Sequence, residues 1–209
     1  MRLGARFDMA KPSKQTEKPS QVRIIAGQYR RRLVGFIAAE GLRPTPDRVR
    51  ETVFNWLGDD LINARVLDCC AGSGVLGFEA LSRGARQVIC VEPNRQQRRQ
   101  LTNTQASLGI APQQFIIYQQ TIEDALTTLP KNECFDVVFI DPPYRLNLWD
   151  SIVNALIHHQ LIHPHTLLYI EGDQPHDVIL KGCLHVLDTV KYKKMGQVWA
   201  GIYTTKKPI

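Results

Sequence analysis

Hydrophobic positions along this chain alternate between two periods. Short apolar runs are separated by stretches in which apolar residues recur every three or four positions. Arg65–Cys69, Gln87–Glu92, Gln114–Tyr118, Phe135–Ile140 and Thr166–Glu171 read as strands. Gly74–Arg83, Gln96–Leu108, Ile122–Leu129 and Leu148–His158 read as the helices between them. Runs such as Val-Val-Phe-Ile at 137–140 are apolar at consecutive positions, which marks burial on both faces. Such strands, alternating with helices, predict an α/β fold with a Rossmann-like doubly wound, mostly parallel sheet. The carboxyl-terminal end breaks the pattern. His185–Tyr192 and Gln197–Thr205 are apolar runs joined across Lys193-Lys194-Met195-Gly196, and they predict a terminal antiparallel hairpin.

The amino-terminal end departs in another way. Residues 1–20 are polar, hold two prolines and lack periodicity, so a disordered tail is expected, with Met9 inside it as an alternative start. Residues 22–36 read as a small basic hairpin and Arg43-Pro-Thr-Pro46 as a rigid loop. Asp47 is placed to cap a helix reaching about Leu57, with Val49, Val53, Phe54 and Leu57 on one face. The expected organisation is a tail (1–20), a basic extension with a first helix (21–60) and one larger domain (61–209), with no internal repeat.

Charge sharpens that division. Residues 1–50 hold 12 Lys/Arg against 4 Asp/Glu, whereas residues 51–209 hold 14 against 16. A near-neutral body thus carries a strongly basic arm in which Arg23, Arg30, Arg31, Arg32, Arg43, Arg48 and Arg50 outnumber lysines after residue 20. Arginine suits phosphate and base recognition better than lysine does. No apolar run approaches a membrane span, and no apolar segment follows the basic start as a secretory signal requires. Five cysteines, odd in number and without a C-x-x-C pair, fit reduced thiols in a cytoplasmic protein. His158-His159 and His163-x-His165 lack a carboxylate or cysteine at ligand spacing, so no metal site is expected.

Two segments carry chemistry. Gly72-Ser-Gly74-Val-Leu-Gly77 is a Gly-x-Gly-x-x-Gly on a strand-to-helix turn, a pattern shared by sheets that bind NAD and sheets that bind S-adenosylmethionine. Glu92, ending the second strand, suits the ribose hydroxyls of either. Asp68 separates the two, because a carboxylate there repels a pyrophosphate and attracts the ammonium of a methionine moiety. Asp141-Pro-Pro-Tyr144 follows the fourth strand directly. Two prolines must end that strand, leaving a stiff turn with one carboxylate, two unengaged carbonyls and an aromatic ring at the edge where such sheets bind ligands. Acceptors beside a stacking surface suit a planar heterocycle bearing an amino group. In a sheet whose order reverses beside the first strand, the two segments are neighbours. Trp149 is near enough to Tyr144 to line the base pocket, and Cys69 and Cys70 are expected to be buried against the glycine turn.

With these motifs the chain resembles class I S-adenosylmethionine-dependent methyltransferases acting on amino groups of bases, and among them the RsmD family, which methylates guanine N2 in 16S ribosomal RNA. The resemblance rests on Arg23–Arg30, Leu42–Asn55, Leu67–Ala85 and Phe135–Tyr144, with Arg43–Glu51 the most family-specific piece. It implies S-adenosylmethionine held by Asp68, Gly72, Ser73, Gly74 and Glu92. Gln120 and Thr121 would lie at the adenine, with Glu123 and Asp124 as first-turn acids of a helix. Arg43 and Thr45 would approach the methionine carboxylate or the RNA near it. Asp141, Pro142, Pro143 and Tyr144 would form the catalytic turn, and Arg23, Arg30, Arg31, Arg32 and Arg48 would contact RNA. A monomer acting on the small ribosomal subunit is implied. Family members commonly carry an apolar aromatic where Cys69-Cys70 stand, so the wall beneath the methionine differs here. Three rivals stay open on the residues alone: a DNA adenine-N6 or cytosine-N4 methyltransferase, a nicotinamide-dependent reductase, and a silent RNA-binding assembly factor.

Overall fold

The computed structural model describes residues 20–37, 45–131 and 134–206. Arg43 and the tail through residue 19 lie outside the described residues. Ser20, expected in that tail, instead begins strand β1 (Ser20–Arg23), which pairs antiparallel with β2 (Leu33–Phe36) as the basic hairpin. Helix α1 (Asp47–Leu57) follows. Its amino-terminal cap is Pro46, with no side-chain cap, and Asp47 is already in the first turn, where its carboxylate accepts from Arg50 Nη2 at 2.6 Å.

The body alternates as expected: β3 (Arg65–Asp68), α2 (Val75–Ser82), β4 (Gln87–Val91), α3 (Arg95–Ser107), β5 (Phe115–Tyr118), α4 (Ile122–Thr128), β6 (Phe135–Ile140), α5 (Trp149–His158) and β7 (Ile162–Gly172). A short helix that the apolar pattern does not reveal, α6 (His176–Ile179), precedes β8 (Leu187–Met195) and β9 (Val198–Thr205). The seven strands form one sheet in the order β5-β4-β3-β6-β7-β9-β8. The five strands β3 to β7 run parallel, and the last strand, β9, slots antiparallel between β7 and β8. Lysines 193 and 194, expected in the hairpin turn, belong to β8.

Alternate residues of each strand feed two hydrophobic layers. Val66, Val88, Val137 and Phe139 pack with α1, α2 and α3, while Leu67, Ile89, Val138 and Ile140 pack with α4, α5 and α6. The first layer also takes in Ile24 and Val34, so the hairpin and the body share one core. Gly27 lets the hairpin dock. At φ +79° its Cα runs so close to α2 that an added Cβ would stand 1.7 Å from the Ser82 carbonyl oxygen. The Ile25 and Ala26 amides donate to buried Glu79, at 2.7 and 3.0 Å. Arg83 and fully buried Arg50 supply that carboxylate's counter-charge. Arg50 is therefore a structural cation, not one of the arginines available to phosphate. No helix among the described residues is long and apolar enough to cross a membrane.

Candidate active site

Reversal of strand order beside β3 places the ends of β3 and β6 next to each other, with Asp68 opposite Phe139 and the Cys69 amide donating to the Phe139 carbonyl at 3.0 Å. The glycine turn leaves β3 here. Gly72 and Gly74 take left-handed φ values of +49° and +73°, and Gly74 starts α2. Buried Ser73 closes the turn by accepting from the Val75 amide at 3.3 Å.

Asp68 is buried at the base of this turn, and its Oδ2 has no hydrogen-bond partner. Burial pushes its pKa up to about 7, and the Gly77 and Cys70 amides offset only part of that. An orphaned, desolvated carboxylate oxygen beside the glycine turn lacks a donor, preferably a cationic one. Glu92 follows β4, almost buried, and is held by the Asn94 amide at 2.7 Å. Burial raises its pKa as well. Cys69 and Cys70 follow Asp68 directly, and burial lifts both thiols well above their ordinary range, which disfavours the reactive thiolate.

Asp141 ends β6 as the two prolines require. Of the two carbonyls expected to be free, Pro143 accepts from the Leu146 amide at 2.8 Å, which closes a 3-10 turn over Tyr144–Leu146. The Pro142 carbonyl accepts from no described residue. Tyr144 is half-buried, its ring 5.9 Å from Trp149 at 30°.

The residue that the sequence reading missed is Glu171, near the end of β7. Its carboxylate accepts from Tyr169 at 2.6 Å, from Thr45 at 3.1 Å and from Tyr144 at 3.4 Å, and its backbone carbonyl accepts from Trp149 Nε1 at 2.8 Å. Thr45 Oγ1 also lies 3.5 Å from Asp141 Oδ2. One hydroxyl thus stands between buried Glu171 and partly buried Asp141. Burial first, then the charges of Glu171 and Asp68, drive the Asp141 pKa well above the usual carboxylate range. A signal for Glu171 was present: Asp68, Glu92, Asp141 and Glu171 each stand at the carboxyl end of a parallel strand, and the first three already had roles. The Arg50 Nε donates to the Thr45 carbonyl at 3.1 Å and fixes the loop that carries this bridge.

Other expected contacts fall in varied places. Thr121 caps α4 by accepting from the Asp124 amide, and the Gln120 side-chain oxygen accepts from Thr128. Glu123 and Asp124 are first-turn acids of α4. Arg30, Arg31 and Arg32 form the exposed tip of the β1–β2 hairpin, Arg32 reaching the Ser107 carbonyl at 3.2 Å. Arg23 and Arg48 are exposed, and Arg23 lies 3.8 Å from Asp47.

Residues 22–204 match the model of a family described as conserved hypothetical protein 95. The chain belongs to this family, the RsmD family. Its relatives include the ribosomal RNA small subunit methyltransferase D of Haemophilus influenzae, 40% identical over 76% of this chain and 82% of the relative. The protein of the same name from Escherichia coli K12 is 39% identical over 73% of this chain and 75% of its own length. The solved yhhF methyltransferase of Escherichia coli superposes with a TM-score of 0.77 at 32% identity, over 90% of this chain and 100% of that one. The RsmD-family chain thus has the class I methyltransferase fold, with Asp68 and Asp141 at the carboxyl ends of the adjacent strands β3 and β6.

Proposed function

We propose that this protein transfers a methyl group from S-adenosylmethionine to the exocyclic N2 of a guanine in 16S ribosomal RNA, on the assembling small subunit. The observation that carries the proposal is the unpartnered Oδ2 of buried Asp68 next to the Asp141–Tyr144 turn, in a chain whose relatives are named ribosomal RNA small subunit methyltransferase D. Asp68 would hold the methionine ammonium, Gly72, Ser73 and Gly74 would bring backbone close to the methionine part, and Glu92 would accept from the ribose hydroxyls. When bound, this cofactor supplies a methyl group on a positively charged sulfur.

The chain's own residues account for the rest. Tyr144 would stack on the base, worth about 1–3 kcal/mol, and Glu171 holds its hydroxyl. Asp141 and the Pro142 carbonyl would accept from the amine, whose lone pair is otherwise delocalised into the ring. Positioning of this kind can contribute about 7–11 kcal/mol to the barrier. The nitrogen becomes acidic once alkylated, and Asp141, with its raised pKa, is a better acceptor for the released proton than an ordinary aspartate. Arg23, Arg30, Arg31, Arg32 and Arg48 would bind phosphates.

The test is methylation of small subunits, free ribosomal RNA and DNA from cells lacking the gene, with labelled cofactor and mapping of the modified atom. Label on guanine N2 of 16S RNA is the expected result. Label in DNA alone, or full activity in an Asp141→Ala variant, would overturn the reading.

A further inference from the structure

Strand register extends the active edge two strands toward the sheet's margin. Glu171 lies opposite Ala200 and Ala200 opposite Lys193, while Gly172 lies opposite Trp199 and Trp199 opposite Lys194. Lys193 and Lys194 therefore stand level with the acids of the active site. At about 4.8 Å per strand, β8 is about 10 Å from β7 and about 14 Å from β6. The second distance equals about four stacked nucleotides at about 3.4 Å each.

The β8–β9 surface has the chemistry to meet such a strand. Tyr192 is 41% exposed, and its ring lies over Trp199 with centroids 5.6 Å apart and planes at 21°. The His176 amide donates to its hydroxyl at 3.0 Å and fixes the ring. The Lys194 ammonium sits 5.0 Å from the centre of the Trp199 ring. Lys191, Lys193 and Lys194 are all exposed, and none has an ion-pair partner among the described residues. Lysines on an edge strand ordinarily prevent sheet-to-sheet pairing. That accounts for the charge, but not for an exposed aromatic stack with a lysine above it at the level of the active site.

We propose that the end of the β8–β9 hairpin is a second RNA-contacting surface, in which Tyr192, backed by Trp199, stacks an unpaired neighbouring base, and Lys194 on the same face, with Lys191 and Lys193 reaching round from the other face of this edge strand, hold phosphates flanking the target nucleotide. The inference rests on the RNA-methylation reading above. It differs from the arginine arm in location and in kind, since stacking tolerates any base whereas phosphate contacts are read by salt.

The test measures the affinity of the full-length protein for small-subunit RNA from cells lacking the gene, across a salt series. Substituting K193Q and K194Q together should lower the salt slope by about 1.4, since each single-strand phosphate contact contributes about 0.7. Tyr192→Leu should weaken binding about tenfold with the slope unchanged, and Tyr192→Phe should restore affinity to within about twofold. Cofactor affinity and thermal midpoint serve as controls. The lysines are exposed and Lys194 alone of the two covers a ring, that of Trp199, so the double variant, read beside its thermal midpoint, decides the matter even where Tyr192→Leu lowers the midpoint. If the unaltered protein methylates RNA while the double variant keeps its slope and affinity, this inference alone fails. If the unaltered protein methylates no RNA, the functional reading fails and this inference with it.

Discussion

Asp68→Asn should make the ligand-free protein more stable and its cofactor binding weaker, with opposite consequences of one desolvated charge. In the folded chain burial carries the Asp68 pKa from 3.8 to about 7. Unlike a salt-bridged aspartate, this group binds its proton more tightly folded than unfolded. Its contribution to stability is therefore fully present below about pH 4 and is lost as pH rises through 7. The whole loss is about 4 kcal/mol at about 1.4 kcal/mol per unit, and more than half of it falls between pH 5 and pH 8. Asparagine cannot ionise, so the variant should gain about 2–3 kcal/mol on its parent between those two pH values. With a urea slope of about 2 kcal/mol per molar, the midpoint difference should widen by about 1 M.

The assay is urea unfolding of both proteins at pH 5 and pH 8, together with calorimetric cofactor titration. Comparing the two proteins at each pH removes the independent titration of Glu171, whereas Glu92 and Asp141 feel the Asp68 charge and are relieved with it in the variant, which adds to the same widening. The parent should bind cofactor more weakly as pH falls below 7, approaching tenfold per unit, because an ammonium needs the ionised carboxylate. The variant should lose that dependence. A midpoint difference that stays the same at pH 5 and pH 8 would refute the claim that Asp68 is a buried, unpaired charge.

Three further outcomes follow from named contacts. Glu171→Gln removes a like charge beside Asp141, so the acid limb of the kcat profile should move to lower pH and kcat should fall while cofactor affinity holds, as pH-rate and binding measurements will show. Glu79→Gln leaves buried Arg50 with only Asp47 as a carboxylate partner and weakens the acceptor of the Ile25 and Ala26 amides, and should cost about 3–5 kcal/mol in urea unfolding and speed tryptic cleavage at the Arg30–Arg32 tip. Gly27→Ala brings a methyl group within 1.7 Å of the Ser82 carbonyl at a left-handed φ, and should lower stability by about 2–4 kcal/mol in thermal melts.

The parts of the site that were readable from sequence are those whose chemistry is local. A Gly-x-Gly turn and a strand stopped by two prolines declare themselves within a few residues, and the neighbouring of β3 and β6 followed from the topology that alternating periods imply. What escaped depends on long-range contact. Arg50 reads as one more basic residue of a basic arm, and only packing against Glu79, the Arg23 carbonyl and the Thr45 carbonyl makes it a buried bracket. Glu171 needs Thr45, 126 positions away, and Tyr169 before it becomes part of the site. The insertion of β9 between β7 and β8 was half legible, since three lysines in β8 suit an edge and the apolar Ala-Gly-Ile-Tyr run of β9 suits an interior.

Charge in this molecule is segregated by sign. Asp68, Glu92, Asp141 and Glu171 gather at the carboxyl edge of the sheet, buried or nearly so, and none has an ion-pair partner among the described residues. Of the exposed cations, those of β8 stand level with these acids, whereas the Arg30–Arg32 tip lies at the carboxyl-terminal ends of α2 and α3, by Ser82 and Ser107. Folding alone would not favour this arrangement, because each uncompensated carboxylate lowers stability at neutral pH. It suits a site completed from outside, in which a cationic ligand relieves Asp68 and an amine donates to Asp141. Asp68 and Asp141 repel one another through the low-dielectric edge, so the two reliefs are coupled. A cation bound at Asp68 lowers the Asp141 pKa and so favours the ionised carboxylate, the form that accepts from an amine. Thermodynamic reciprocity then requires that the amine-bearing base bind more tightly to the cofactor-loaded protein than to the empty one, and by the same factor that the base tightens the cofactor.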